Sequence, residues 1–298
     1  MSVPGTIRDG RDRGGVLMAG RNDPSALRWL IGVELAAYRR QAGLTLAELS
    51  EATGITKPKL GHMEMGRYQQ NPDDIANVLR ACGTDERTVD RLSSLSGRSD
   101  SKSWWAPWAH VVPDWLKTFV GLEGLAESEF VYQPMVLPGL MQTEEYAHAL
   151  TAATDFVRQN HNERFVSFRL ARARRLNDPD PLRLHAVVGE AALRLAVGTP
   201  EMRFAQYERL LELADQPNIT LQVLRPECGP HDAGGTGQFV VLHFDEARPI
   251  AYTEQLDGAV YVQDPDDVRT YTLAAENLQH VALEPAESVA LVKALMAE

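Results

Sequence analysis

Apolar residues recur at helical spacing between about residues 26 and 95. Side chains three or four positions apart share one face of a helix, so this spacing predicts amphipathic helices. Glycine-containing or polar segments interrupt the pattern and divide it into five helices. We therefore expect a compact all-α unit over residues 23–96, with a disordered arm over 1–22 before it and a linker over 97–103 after it.

The second and third of these helices are joined by a tight turn at Gly54. Thr45 and Glu48 have the spacing of a capping box, which fixes where the second helix begins. Gly54 follows the last residue of that helix, where a left-handed backbone favours glycine, and Thr56 is placed to cap the third helix. The pattern predicts a helix-turn-helix.

The third helix has one apolar side and one side suited to nucleic acid. Leu60 and Met63 should face the core, and the opposite side carries no acidic residue and is flanked by lysines. We expect some side chains on this side of the helix to contact base edges in a major groove, and residues around them to contact phosphates. The expected DNA-binding residues are Thr45, Thr56, Lys57, Pro58, Lys59, Gly61, His62 and Arg67.

After the predicted linker, short apolar runs alternate with helical segments, which predicts a mixed α/β domain over residues 104–298. The expected strands are 130–132, 182–188, 219–224, 239–244, 250–252 and 259–261. The expected helices are 114–128, one beginning after Thr143, 161–177, 190–197, 200–214, 267–282 and 285–296. The fold class is thus α plus α/β.

Charge is distributed unevenly along the chain. The formal net charge is −11, yet residues 1–98 hold 14 Lys and Arg against 12 Asp and Glu, so the acidity lies in the rest of the chain. An acidic protein binds bulk DNA weakly, so specific binding would need local basic contacts and a homodimer. Cys82 and Cys228 suggest neither a zinc motif nor a disulfide framework. No apolar run predicts a membrane span or a leader, and a cytoplasmic protein is expected.

Several residues of the second domain suggest a ligand or partner pocket. Arg169 and Arg172 lie within one turn of a predicted basic helix and could clamp a phosphate or carboxylate, although ion pairs with nearby acids are the alternative use. The expected pocket residues are Gln142, Arg169, Arg172 and His231. Clustered tryptophans over 104–115 could stack on a flat ligand or form a hydrophobic seam.

Neither a catalytic site nor a cofactor or metal site is expected. The helix-strand-loop-histidine-strand order over 200–244 hints at half of a phospholipase D-like phosphodiesterase, but that chemistry needs H-x-K, and Asp232 and Ala233 follow His231. Acidic residues at 264–267 could hold a cation, but a solvated turn that caps the next helix is the other interpretation.

Residues 27–95 resemble the DNA-binding domain of Xre/Cro/C1-type regulators. The features that match are Leu46-Ala47-Glu48-Leu49, the Gly54 turn and Glu64-Met65-Gly66-Arg67. The resemblance implies a lambda-repressor-like bundle of five helices that reads an operator.

Residues 104–297 resemble the C-terminal domain of unknown function found in WhiJ-like actinomycete regulators. The matching segments are 138–147, 169–176, 189–194 and 222–239, although Met141 replaces a leucine and Gly189 an acid. The resemblance implies a small-molecule effector or a small BldB-like partner protein as the signal. The sequence thus predicts a transcriptional regulator, a repressor that binds double-stranded DNA. An adaptor with a vestigial helix-turn-helix and a phosphodiesterase-like enzyme with a DNA-binding appendage remain the alternatives.

Overall fold

The computed structural model describes residues 23–96, 103–154 and 158–298. The first of these ranges forms five helices, as the apolar pattern predicts. They are α1 (Pro24–Gln41), α2 (Leu46–Thr53), α3 (Lys57–Glu64), α4 (Pro72–Ala81) and α5 (Glu86–Ser96). The predicted arm over 1–22, and the predicted linker apart from Ser103, lie outside the described residues.

The local sequence signals of the helix-turn-helix act largely as expected. The Thr45 hydroxyl accepts a hydrogen bond from the Glu48 amide at 3.2 Å, and the Glu48 carboxylate accepts one from the Thr45 amide at 2.8 Å. Gly54 has a φ of 71°, which is the left-handed region. Thr56 occupies the N-cap position of α3 as expected, but its side chain accepts no hydrogen bond from the helix, so the side-chain cap is absent. Pro58 occupies the second helical position and has no N–H to offer.

The rest of the chain builds a sheet covered by helices. The helices are α6 (Asp114–Leu125), α7 (Glu144–Ala152), α8 (Asn162–Ala173), α9 (Glu190–Arg194), α10 (Pro200–Ala214), α11 (Pro265–Val281) and α12 (Pro285–Leu295). The strands are β1 (Ser128–Gln133), β2 (Arg183–Gly189), β3 (Ile219–Leu224), β4 (Phe239–His243), β5 (Ile250–Gln255) and β6 (Gly258–Val262). Every predicted strand is present, which confirms the mixed α/β fold class.

The sheet joins a parallel half to an antiparallel half. Its strand order is β3-β2-β1-β4-β5-β6. β1, β2 and β3 run parallel, whereas β4 runs antiparallel to β1 and continues into the β5–β6 hairpin. Because side chains alternate along a strand, β1 sends Val131 to one face and Phe130 and Tyr132 to the other. The Val131 face packs towards α6, and the Tyr132 face is covered by α11.

The five-helix bundle lies directly against the second region, through one side of α1. The cap residue Asp23 and four residues of α1 on this side form what we call the docking surface: Asp23, Ala26, Trp29, Glu34 and Tyr38. A Cβ on Gly121 of α6 would lie 2.6 Å from the Ala26 Cβ, so the two helices touch where neither has a bulky side chain. Buried apolar residues of the bundle and of the Val131 face belong to one continuous core.

Polar contacts reinforce this docking. The buried Glu34 carboxylate accepts a hydrogen bond from the Arg248 amide at 2.7 Å. The Arg248 guanidinium lies 4.5 Å from the centre of the Tyr38 ring. Asp23 caps α1 and also accepts a hydrogen bond from the Trp105 indole. The bundle and the sheet region are thus held together by contacts that the sequence pattern did not predict.

Among the described residues, no helix is both long enough and apolar enough to cross a membrane.

Candidate functional site

The side of the helix-turn-helix that faces away from the core is what we call the recognition surface. It consists of the residues predicted to bind DNA: Thr45, Thr56, Lys57, Pro58, Lys59, Gly61, His62 and Arg67. All are exposed except Gly61 and His62, which are partly exposed. Leu60 and Met63 are buried, at 1% and 5% exposure, as predicted. The structure therefore presents the basic side of α3 to solvent.

The inner side of α3 is held firmly against α1. A Cβ on Gly32 would lie 2.5 Å from the Glu64 carbonyl oxygen, so the helices approach closely there. The Arg39 guanidinium donates to both carboxylate oxygens of Glu64, at 2.6 and 2.8 Å, and to the Leu44 carbonyl oxygen at 2.8 Å. The side-chain amide of Gln70 donates to the Met63 carbonyl oxygen at 2.9 Å. These contacts fix the position and direction of the recognition surface.

Gly61 lies inside α3 although the protein gives no steric reason for a glycine there. A Cβ built at this position has no heavy atom within 4 Å. Glycine in a helix interior costs about 0.5–1 kcal/mol relative to alanine. A bare backbone at an exposed helical position suits the close approach of a partner surface.

The charges of the recognition surface are only partly neutralised. The Lys59 ammonium lies 2.6 Å from the Asp74 carboxylate, so this lysine is not a free cation. Within the described residues, Lys57 and Arg67 have no carboxylate partner. The basic character of the surface therefore rests chiefly on these two residues.

Sequence analysis missed an aromatic residue next to this surface. Tyr68 is 67% exposed, and its ring centre lies 5.3 Å from that of His62. Exposed tyrosines combine a flat apolar face with a hydroxyl and are common in binding surfaces. The sequence did contain a signal for Tyr68, because an aromatic residue follows the predicted recognition helix directly.

A second candidate site is a cavity of about 140 Å³ between α6, α8 and the Val131 face of the sheet. Gln142, Arg169 and Arg172 line it, so three of the four predicted pocket residues come together. The Arg169 guanidinium donates to the Gln142 side-chain oxygen at 2.7 Å. The remaining N–H groups of Arg169 form no hydrogen bond within the described residues.

Arg172 is already neutralised by an acid that α6 supplies. Its guanidinium donates to the two carboxylate oxygens of Glu123 at 2.9 and 2.7 Å. Burial disfavours the charge of Arg172, but the Glu123 carboxylate outweighs this effect and raises the Arg172 pKa above its usual value. The ion-pair interpretation of this arginine is confirmed.

Glu129 of β1 is a cavity residue that sequence analysis did not identify. Its side chain is buried, at 5% exposure, and one carboxyl oxygen has no hydrogen-bond partner within the described residues. Burial, followed by the nearby Glu123 carboxylate, holds the pKa of Glu129 well above its usual range. A neutral carboxylic acid is therefore favoured. The periodicity of β1 hid this residue because an acid is unusual on a buried strand face.

His231 does not belong to this cavity, so the expected grouping with Arg169 is wrong. The His231 ring lies 6.0 Å from the ring of Tyr132, which points to the α11 face of the sheet. The cavity lies on the opposite face. Strand alternation separates the two sites, and the position of a histidine in a loop gave no indication of its side.

The cavity wall also connects to the docking surface. The cavity residues Phe119 and Tyr252 stack with ring centres 4.2 Å apart. Tyr252 contacts Tyr261 at 5.2 Å, and Tyr261 contacts Trp29 of α1 at 5.4 Å between ring centres. A continuous series of rings thus runs from the cavity to the helix that supports α3.

The remaining candidates have structural roles. Trp104 stacks on the buried Phe168 with ring centres 6.0 Å apart, and Trp105 bonds to Asp23. These contacts confirm the hydrophobic seam. The Asp264 side chain accepts a hydrogen bond from the Asp266 amide at 3.1 Å and caps α11, which confirms the turn interpretation.

Comparison with protein families gives two matches. Residues 116–294 match the model described as "Domain of unknown function (DUF5753)", and residues 30–92 match the model described as "Helix-turn-helix domain". The comparison with curated proteins gave no match, and the comparison with solved structures gave none either. The helix-turn-helix match supports a DNA-binding regulator.

Proposed function

Because the chain belongs to the DUF5753 family and carries a helix-turn-helix domain in front of that region, we propose that it is a sequence-specific transcriptional regulator of the Xre type. In this proposal it acts as a repressor, binds its operator as a homodimer, and receives a signal through the C-terminal region. The observation that carries the proposal is Gly61, a glycine inside the recognition helix with no contact that requires it.

The recognition surface divides into two groups of contacts. Lys57, Pro58, Gly61 and His62 lie on the first turns of α3 and meet base edges in the major groove, where an α-helix fits. Thr45, Thr56, Lys59 and Arg67 lie around them and contact phosphates. Lys59 exchanges Asp74 for a phosphate on binding, and the exposed position of this ion pair makes that exchange inexpensive.

The overall acidity of the chain supports selective binding. A net charge of −11 opposes sequence-independent attraction to DNA, so affinity must come from a small number of local contacts. A dimer doubles those contacts and links two half-sites.

The C-terminal region acts in this proposal as the receiver of a signal, either a small-molecule effector or a small BldB-like partner protein. α6 supports this role, since Phe119 lines the cavity, Glu123 pairs with the lining residue Arg172, and Gly121 contacts α1. A ligand that prefers one arrangement of the two regions shifts operator affinity by its preference, typically about 1–3 kcal/mol.

The test begins with recovery of genomic DNA bound by the full-length protein, followed by footprinting of the recovered site. Lys57→Ala and His62→Ala should each weaken operator binding by about 1–3 kcal/mol. Both residues are at least partly exposed, so thermal stability should change by less than about 0.5 kcal/mol.

Lys293→Ala is the matched control, because it removes an exposed lysine from α12, far from the recognition surface in the sequence. It should leave operator affinity unchanged. An equal loss on operator and on random DNA would contradict the assignment of Lys57 and His62 to base readout. Failure to recover any specific site would contradict the proposed function itself.

A further inference from the structure

We propose that the cavity between α6, α8 and the sheet binds a small monocarboxylate, with Arg169 as the residue that holds the carboxylate group. This inference deepens the proposed function and rests on it, since the ligand would be the signal that the C-terminal region receives. It concerns the cavity lined by Glu129, Gln142, Arg169, Arg172, Tyr252 and Glu254.

The first argument is the balance of charge in the cavity. Arg172 and Glu123 neutralise each other through two hydrogen bonds. Arg169 has no carboxylate partner among the described residues; its contacts are the Gln142 side chain at 2.7 Å and the Phe165 ring, whose centre is 5.4 Å away. A buried charge normally has a counter-ion. Among the described residues that line the cavity, Arg169 is therefore a cation that no carboxylate contacts directly.

The surroundings of Arg169 also disfavour its charged form. Burial, followed by the charge of Arg172, lowers the pKa of Arg169 to about 10. A bound anion would offset both effects. A guanidinium has parallel N–H groups that match the two oxygens of a carboxylate. Within the described residues, Arg169 uses its guanidinium for only one hydrogen bond, the one to Gln142.

The second argument is Glu129, which lines the same cavity and has one buried carboxyl oxygen without a hydrogen-bond partner among the described residues. A neutral carboxylic acid carries an O–H that can donate to a ligand. It also avoids the repulsion that an ionised carboxylate would exert on an anion. Arg169 and Glu129 thus offer a cationic donor and a neutral donor to one negatively charged group.

The third argument concerns the size and charge of the ligand. A volume of about 140 Å³ is smaller than the roughly 300–1,000 Å³ of sites for drug-sized ligands. Val131, Leu140 and Val240 add an apolar wall, which suits a short hydrocarbon chain. Glu254 lines the cavity and is exposed to solvent, so a second negative charge on the ligand would meet repulsion. A monocarboxylate fits these conditions better than a dicarboxylate.

The test uses butyrate as the probe and the full-length protein, at constant ionic strength. Butyramide, which has the same shape without the charge, and succinate, which has a second charge, are the comparison compounds. We expect butyrate to raise the unfolding temperature in a saturable manner, because a ligand that binds only the folded state stabilises it. Butyramide and succinate should have much smaller effects.

Arg169→Gln should weaken butyrate binding by about tenfold or more, measured by calorimetry. Arg174→Gln is the matched control, since Arg174 follows α8 and is exposed. It should leave butyrate binding unchanged. If Arg169→Gln fails to fold by circular dichroism, Arg169→Lys takes its place: it keeps the charge but loses the forked geometry, and binding should still weaken.

Equal stabilisation by butyrate and butyramide, no saturable effect of butyrate, or equal butyrate binding by wild type and the Arg169 variant would overturn the inference. Its failure is distinguishable from that of the proposed function. If butyrate binds through Arg169 and leaves operator affinity unchanged, the site stands and the regulatory role fails. If operator binding is specific but butyrate does not bind, the regulator stands and the monocarboxylate site fails.

Discussion

The docking surface and the recognition surface belong to the same five-helix bundle, and a glycine is found at each contact for a different reason. Gly121 packs against the docking surface, where a Cβ would lie 2.6 Å from Ala26. Gly61 lies in the recognition surface, where a Cβ would contact nothing within 4 Å. The first glycine is explained by packing inside the protein. The second has no packing explanation within the described residues, and in the proposed function it allows DNA to approach the helix closely.

The polar groups of the docking surface have partners inside the protein, whereas basic groups of the recognition surface lack them within the described part of the chain. Asp23 and Glu34 are buried, at 0% and 1% exposure, and each accepts a hydrogen bond from the C-terminal region. Lys57 and Arg67 are exposed and have no carboxylate partner among the described residues. Substitutions in the docking surface should therefore reduce stability, whereas substitutions in the recognition surface should reduce DNA binding.

The strongest test of this difference is Gly121→Leu. No space exists for the side chain between α6 and Ala26, and overpacking of this kind costs typically 1–3 kcal/mol. We expect a loss of about 3 kcal/mol in the free energy of unfolding, measured with denaturant. A change below about 0.5 kcal/mol would show that the bundle and the C-terminal region do not pack in this way in solution.

Asp23→Ala should have the next largest effect, about 2 kcal/mol. It removes the α1 cap, in which Asp23 accepts from the Ser25 and Ala26 amides at 2.9 and 3.0 Å, and it leaves the Trp105 indole N–H without its acceptor. Denaturant unfolding would measure the change. Asn71→Ala removes only a cap, that of α4, and should cost about 1 kcal/mol. Equal losses in the two variants would argue against the bond between Asp23 and Trp105.

Gly61→Ala should have the smallest effect on folding, with the opposite sign. Alanine favours a helix over glycine by about 0.5–1 kcal/mol, and the site is sterically open, so stability should rise by that amount. Operator affinity, measured by fluorescence anisotropy, should fall because the added methyl group separates the helix from the DNA. Unchanged operator affinity would show that Gly61 does not lie in the DNA interface, and that another surface of the protein binds the operator.

Local signals predicted the elements well because they act within a few residues. The capping box at Thr45, the turn at Gly54 and the strand at Ile219–Leu224 all lie where the sequence places them. Thr56 is the exception: Pro58 removes one of the two amide N–H groups that its hydroxyl could bind, and the other, that of Lys59, does not bond to it either. The polar composition after residue 96 predicted separate domains, whereas the contacts of the docking surface join residues more than 80 positions apart.

The candidate cavity was only partly predictable for the same reason. Arg169 and Arg172 share a helix, so their proximity follows from helical spacing. Glu123 reaches them from another helix and Glu129 from a strand, and no local pattern connects those elements. His231 failed as a pocket residue because the side of the sheet that a long loop reaches depends on the whole topology.

The close contact between Gly121 and Ala26 also bears on how such proteins can be recombined. A hybrid protein joined at residues 97–103 would combine the helical bundle of another protein with this α6. If that bundle has a residue larger than alanine at the position of Ala26, its side chain would clash with α6 beside Gly121. The compatible partner of Asp23 is Trp105, which lies on the far side of that junction. A module that keeps the contact between α1 and α6 must therefore extend from residue 23 at least to the end of α6, and Arg248 and Tyr261 add contacts to α1 from beyond that point.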